Sequence, residues 1–396
     1  MKKGRLVRMG LGLALAAVLG GVFALAIFWW RRAGSFGELR VHAAPLPPGE
    51  YKERDRPRLE GSDGELEALR ADALARAQVW QPPARPVSAF DFTRNVDPGF
   101  DTGDDVSCQY RFEAGEGWSP KFDCVRPDGE VLRVKYGRGN GEVFAEVAAT
   151  RLLSALGFGA DRVSVVRSVR CFGCPPYPYP RWGEAWNRLF RAHGGYREFR
   201  TVVVERPHPG VPVPHAGDKG WGWNEVEAID ASRGGAPESH RDALRLLAVF
   251  LAHWDNKPGN QRLMCLDEPK TAAQGCARPF AMIQDAGSTF GPKRVNVGHW
   301  RETPLWRDAT QCRVDMATLP YDGATFREVS ISEGGRRFLA DRLTALSRAQ
   351  VHALFAGARF DHFANGSRES GDLDAWTDTF AARVGAVAAA GPCPRP

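Results

Sequence analysis

The sequence predicts an α+β fold in two lobes: a small β-rich lobe with one key helix, then a larger helical lobe, behind an N-terminal transmembrane helix. Three observations predict it. Between residues 108 and 204, short segments keep the strand period and one stretch, 141–156, keeps the helical period. From residue 243 onward the apolar stretches 243–252, 338–346, 347–355 and 376–390 read as helices. An uncharged run fills residues 9–30, about the length that crosses a bilayer. At 396 residues the chain is long enough for two lobes and additions to them. The expected boundaries are 1–32 for a membrane anchor or signal, 33–86 for a stalk with a short helix, 87–205 for the first lobe and 206–396 for the second.

Lys2, Lys3, Arg5 and Arg8 precede the apolar run, and Trp29-Trp30 followed by Arg31-Arg32 resembles an interfacial belt. A cleaved signal peptide is the alternative; the run is long for one, and His42-Ala43-Ala44 is only a late cleavage site. The basic cluster before the run favours an N-terminus inside, but Arg31, Arg32 and Arg40 lie on the other flank. Cysteine usage decides for an extracytoplasmic domain. There are eight, an even count, with local pairs at 108 and 124, 171 and 174, and 265 and 276. A zinc site at Cys171 and Cys174 is the rival, and it lacks a second C-x-x-C. A cytoplasm-facing domain, or one secreted after cleavage, stays open. The net charge of +6 is modest and its arginines are scattered, with no basic-aromatic interleaving, so nucleic acid is not an expected partner.

Residues 34–60 are rich in Pro, Arg and Glu and read as the stalk. Ser62 and Glu65 form a capping box for a helix over about 65–79, and Pro82, Pro83 and Pro86 end it. Residues 108–124 read as strand, turn, strand, with Gly115, Gly117 and Ser119 at the turn. Such a hairpin can lay backbone N–H groups over phosphates, or it can be an ordinary exposed hairpin. Residues 130–136 alternate as a strand with Lys135 near its end. The helix 141–156 follows, with Gly157 as its C-cap. Glu142 and Glu146 are four apart and share a face, so either can meet Lys135; Glu146, one turn deeper, is preferred. Residues 162–169 read as one strand, 171–200 as an insertion, and 201–204 as an apolar strand ending at Glu205. The tryptophans of 221–230 either cover a cleft or fill the core. His352 and His362 have no other ligands near them at metal-site spacing.

The helix 243–252 delivers His253-Trp254-Asp255-Asn256-Lys257-Pro258-Gly259-Asn260, and an apolar strand later delivers Asp285-Ala286-Gly287. The first stretch resembles the H-R-D-x-x-x-x-N catalytic loop of protein kinases, and the second resembles their D-F-G. Lys135, a helix glutamate, the loop and the D-x-G occur in kinase order. The missing A-P-E, and D-A-G in place of D-F-G, set the chain closer to the atypical branches of the kinase-like superfamily. These are the secreted casein- and xylose-type kinases, the HipA-like kinases and the phosphoinositide kinase-like group.

The resemblance implies a two-lobed kinase-like fold that uses ATP with Mg²⁺ or Mn²⁺. It gives Asp255 the role of base, with Lys257 beside it in the catalytic loop. Asn260 and Asp285 would hold metal, Lys135 the ATP phosphates, and Glu146 would position Lys135. The hairpin residues Gly115, Gly117 and Ser119 would cover the phosphates, and Glu205 would open the hinge segment that binds adenine. Trp254 replaces the usual Arg, so regulation by a phosphorylated loop docking there is not expected. The implied partners are a nucleotide, the membrane through the N-terminal helix, and a hydroxyl on a protein, sugar or lipid. ATP is scarce outside the cytoplasmic membrane, which keeps three other readings open: a non-catalytic envelope binding protein, transfer of AMP to protein on the same fold, and a zinc or thiol redox protein.

Overall fold

The computed structural model describes residues 20–22 and 41–394, except 56, 97–98, 113–118, 176–177, 180–194, 215–219, 318, 320–322 and 364–368. Its first half is built on an eight-stranded sheet in the order β1-β7-β6-β2-β3-β4-β8-β5. The strands are β1 (Val41–Ala43), β2 (Asp105–Arg111), β3 (Lys121–Val125), β4 (Val131–Tyr136), β5 (Arg162–Val165), β6 (Ser168–Phe172), β7 (Gly195–Phe199) and β8 (Val202–Arg206). All neighbours run antiparallel except β2 and β6. The strand expected over 162–169 is two strands, β5 and β6, on opposite sides of the sheet.

The key helix of this half, α2 (Glu142–Leu156), is buried on nearly every side, as its apolar composition demands. Gly157 ends it with φ 87°, and a Cβ there would lie 2.2 Å from the Gln81 carbonyl. Only glycine meets both conditions.

The second half is mainly helical: α3 (Glu238–Leu251), α4 (Val297–Glu302), α5 (Glu333–Thr344), α6 (Arg348–Gly357) and α7 (Leu373–Ala389). It also holds a small sheet of β9 (Val211–Pro212), β10 (Gln261–Cys265) and β11 (Pro279–Ile283), and a β12 (Arg313–Val314) and β13 (Val329–Ser330) pair. Helix α5 begins five residues before the expected start at 338. Gly334-Gly335 reads as a breaker in sequence, but a Cβ on Gly335 would lie 2.4 Å from Asp242 Cβ, so glycine lets α5 close on α3. Phe250, Phe290, Trp300, Phe355, Phe360, Trp376 and Phe380 pack edge-to-face in the core between these helices. Trp221 and Trp223 are also buried, so the tryptophans of 221–230 fill the core.

Arg383 of α7 enters that core with no carboxylate partner among the described residues. It donates to the carbonyls of Val249 (2.9 Å), Phe250 (2.9 Å), Trp300 (3.1 Å) and Thr303 (2.7 Å). Two of these are end carbonyls of α3, where the helical ladder runs out; that of Val249 also accepts from the Ala252 N–H and that of Phe250 from the Trp300 indole.

The stalk expected over 33–86 is corrected. β1 extends the large sheet by pairing with β7. Helix α1 (Asp63–Ala75), capped by the Ser62–Glu65 box, buries Leu69, Ala73 and Leu74. It stops at Ala75 rather than 79 because the chain beyond pairs with strands: Gln78 bridges Phe280, and Trp80 bridges Phe158. The composition of this segment suits a solvated linker, but Leu59, Leu69, Ala73, Leu74 and Val79 are buried against the folded domain.

All eight cysteines are paired: Cys108–Cys124, Cys171–Cys174, Cys265–Cys276 and Cys312–Cys393. The first three are the expected local pairs; the fourth spans 81 residues. The zinc alternative at Cys171 and Cys174 falls, because a disulfide leaves no thiolate to bind the ion. Four disulfides point to an oxidising, extracytoplasmic environment. Among the described residues no helix is long and apolar enough to cross a membrane. The run expected to do so, 9–30, lies outside them except for residues 20–22.

Candidate active site

Lys135 lies on β4, a central strand held by β3 and β8. Its side chain is fully buried and points at α2. Its Nζ is 2.7 Å from Glu146, 3.3 Å from Glu205, 3.7 Å from Asp285 and 3.9 Å from Glu142. Of the two helix glutamates, Glu146 is the direct partner. Burial alone would strip the lysine of its proton. The charges of Asp285, Glu146, Glu205 and Glu142 outweigh burial and hold the ammonium well above its usual range. Burial pushes Glu146 up, against the pull of Lys135.

The loop after α3 begins with a sharp turn. Ala252 has φ 53°, and the His253 N–H returns to the Ala248 carbonyl at 2.9 Å. Asn256 then pins the loop to the second half. Its Oδ1 accepts from the N–H groups of Thr325 and Phe326, both at 3.0 Å. The Asn260 carboxamide donates to the Asp255 carbonyl at 2.6 Å, which closes the loop on itself.

The β10–β11 hairpin joins this loop to Asp285. Its register pairs Gln261 with Ile283, which sets Asn260 beside Gln284 and Asp285. The Asn260 carbonyl accepts from both of their N–H groups, at 2.8 and 3.1 Å. His253 adds a second tie, with Nε2 3.1 Å from the Asp285 carbonyl oxygen. The Cys265–Cys276 disulfide closes the far end of the same hairpin. The long connection between the two motifs is therefore the device that brings them together.

Asp285 is held well below the usual carboxylate range. Burial opposes this, but Lys135, then Lys121, then the Gly287 N–H outweigh it. Gly287 is glycine for space: a Cβ there would lie 2.8 Å from Glu142 Cγ. Glu142 accepts a hydrogen bond from Ser119 Oγ, so the hairpin end reaches the first turn of α2. Asp255 faces Lys257 at 3.3 Å through Oδ2, while its Oδ1 is buried without a hydrogen bond.

The structure thus brings together Lys135, Glu146, Asp285, Asn260, Asp255 and Lys257, with Ser119 at the rim. Gly115 and Gly117 lie outside the described residues. Glu205 differs from its expected place: it sits inside β8, paired with Arg133 and Val163, and enters the site through its carboxylate beside Lys135. Sequence reasoning missed the pin, Asn256, and the buried Asp161, which accepts from the His208 N–H at 2.8 Å. Asn256 falls on an unspecified position of the loop pattern and Asp161 outside any motif, and each shows its role only through residues far along the chain.

Burial, then the nearby Glu205 charge, raise Asp161 to about 7 from 3.8. Between these values the unfolded chain gives up this proton and the folded chain keeps it, so wild type loses stability as pH rises. Asp161→Asn should therefore gain stability over wild type from about pH 4 to 7, by on the order of a few kcal/mol, and hold the gain above. Urea unfolding across that range measures the difference; one that does not change with pH would contradict it.

The oxygen donors of Asp285 and Asn260, with Glu142 nearby, suit a hard divalent cation such as Mg²⁺ or Mn²⁺. The excess of carboxylates over lysines around Lys135 favours bound positive charge as well.

No family model matches the chain. No curated protein matches it. Among solved structures it is similar to a Helicobacter pylori proinflammatory kinase, CtkA, at 11% identity and a TM-score of 0.39, with 72% of this chain and 96% of that chain covered. A likeness at that level decides neither fold nor function.

Proposed function

We propose that the protein is an ATP- and divalent-metal-dependent phosphotransferase of the atypical kinase kind. It acts on a hydroxyl of a protein, sugar or lipid at the cell envelope. The observation that carries this reading is the buried Lys135–Glu146 pair opening onto Asp285, itself tied through the β10–β11 hairpin to Asn260 and Asp255. This is the constellation phosphoryl transfer needs, because the reaction asks mainly for positioning and charge stabilisation.

In this reading Lys135 binds the ATP phosphates and Glu146 keeps the lysine aimed. Asp285 and Asn260 hold the cation, and Asp255 Oδ1 takes the proton of the attacking hydroxyl. Lys257, 3.3 Å from Asp255 Oδ2, holds that carboxylate in place. Bound ATP with its cation supplies the phosphoryl group and neutralises charge. The four disulfides and the apolar run at 9–30 support a domain outside the cytoplasm, anchored by one membrane span.

Thermal unfolding of the full chain with ATP tests the reading. Magnesium or manganese should be required for a stabilising shift, and Asp285→Ala should abolish it. No shift with any nucleotide in a well-folded chain would overturn it in favour of a non-catalytic binding protein. Label incorporated from the α-phosphate, and not the γ-phosphate, would replace it with AMP transfer.

A further inference from the structure

The sheet sets a second lysine over the same site. Lys121 of β3 pairs directly with Lys135 of β4 in the antiparallel register, so both side chains leave the same face, toward α2 and Asp285. The start of β3 is fixed by Asn140, whose carboxamide donates to the carbonyls of Pro120 and Tyr136, each at 3.2 Å. Lys121 therefore does not reach this place on a loose loop.

Like charges directly opposite one another across a strand pair destabilise a sheet. Lys135 is compensated by the carboxylates that surround it. Lys121 is half-buried, and among the described residues no carboxylate lies at ion-pair distance from it. Its place opposite Lys135, whose Nζ is 3.7 Å from Asp285, sets it on the face that Asp285 closes. With a divalent cation held at Asp285, the positive charge of Lys121 would be left facing the site. The register thus gives this face two lysines side by side.

Resting on the phosphotransferase reading, we infer that Lys121 is a second phosphate-binding cation, paired across the strands with Lys135 and directed at the terminal phosphates of the nucleotide. It is a binding and positioning residue. Its contribution should grow with the number of phosphates, because a nucleoside monophosphate brings little charge to that end of the site.

Calorimetric titration of the full chain with ATP, ADP and AMP, in magnesium or manganese, tests this. Lys121→Ala should weaken ATP about tenfold, the cost of one charge-assisted hydrogen bond, and leave AMP unchanged. Lys121→Arg should restore most of the loss. Lys121→Gln, which keeps the stem, should weaken ATP as Lys121→Ala does and guards against a packing defect. Wild-type ATP affinity in Lys121→Ala, or equal weakening of ATP and AMP, would overturn the role of Lys121 alone. Failure of wild type to bind any nucleotide would overturn both the role and the reading beneath it.

Discussion

Asp255→Asn is expected to lower phosphoryl transfer by about 10²–10⁴-fold while leaving metal-dependent ATP binding in place. The substitution keeps the shape of the side chain and removes its capacity to take a proton. The loop should survive it, because the Asp255 backbone carbonyl, not the side chain, receives Asn260 at 2.6 Å. The His253 and Asn256 ties are also independent of the carboxylate. Turnover and ATP affinity measured on the same preparation check the prediction. A folded Asp255→Asn protein with wild-type turnover would remove Asp255 from the chemistry.

The largest expected effect on stability is at Arg383. Arg383→Met should destabilise the chain by on the order of 3–5 kcal/mol, because it fills the space but removes a charged donor from four carbonyls, of which those of Val249 and Phe250 keep one other donor each, the Ala252 N–H and the Trp300 indole. Conservative hydrophobic exchange does not rescue such a site, since the lost partner is a charged donor. Denaturant unfolding measures the loss, and a change below about 1 kcal/mol would mean that other donors replace the guanidinium. The effect should reach activity too. Arg383 holds the last carbonyls of α3, one turn before His253, so its loss loosens the segment that aims Asp255.

Much of this site was legible in the sequence because its chemistry is local. The catalytic loop and the D-A-G are short runs, and the Lys135 strand and Glu146 helix show clean periods. The three cysteine pairs close loops short enough to be read by eye. What escaped is set by distance along the chain. Cys312 meets Cys393, Asn256 meets Thr325, and Arg383 meets Val249, and no short window contains both partners. Lys121 was hidden in another way: it takes meaning only from the β3–β4 register, which fixes what lies opposite it. The segment before residue 87 misled through composition, because its Pro, Arg and Glu read as a solvated stalk while Leu59, Leu69, Leu74 and Val79 dock.

That docked segment bears on how the protein is controlled. Trp80 and Gln81 grip the C-terminal end of α2, with the Gln81 N–H on the Gly157 carbonyl at 2.9 Å, while Gln78 is paired with β11 in the other half. Just beyond α2, the Ile283 N–H reaches the Gly159 carbonyl at 3.2 Å. The rear of the cleft is thus sewn from two sides, and α2 cannot swing outward as a rigid body without breaking both seams. A helix that cannot swing cannot serve as an on–off switch for the Lys135–Glu146 pair. Under the phosphotransferase proposal the geometry of the site is built to be constitutive, and control would fall to the supply of nucleotide, cation and acceptor.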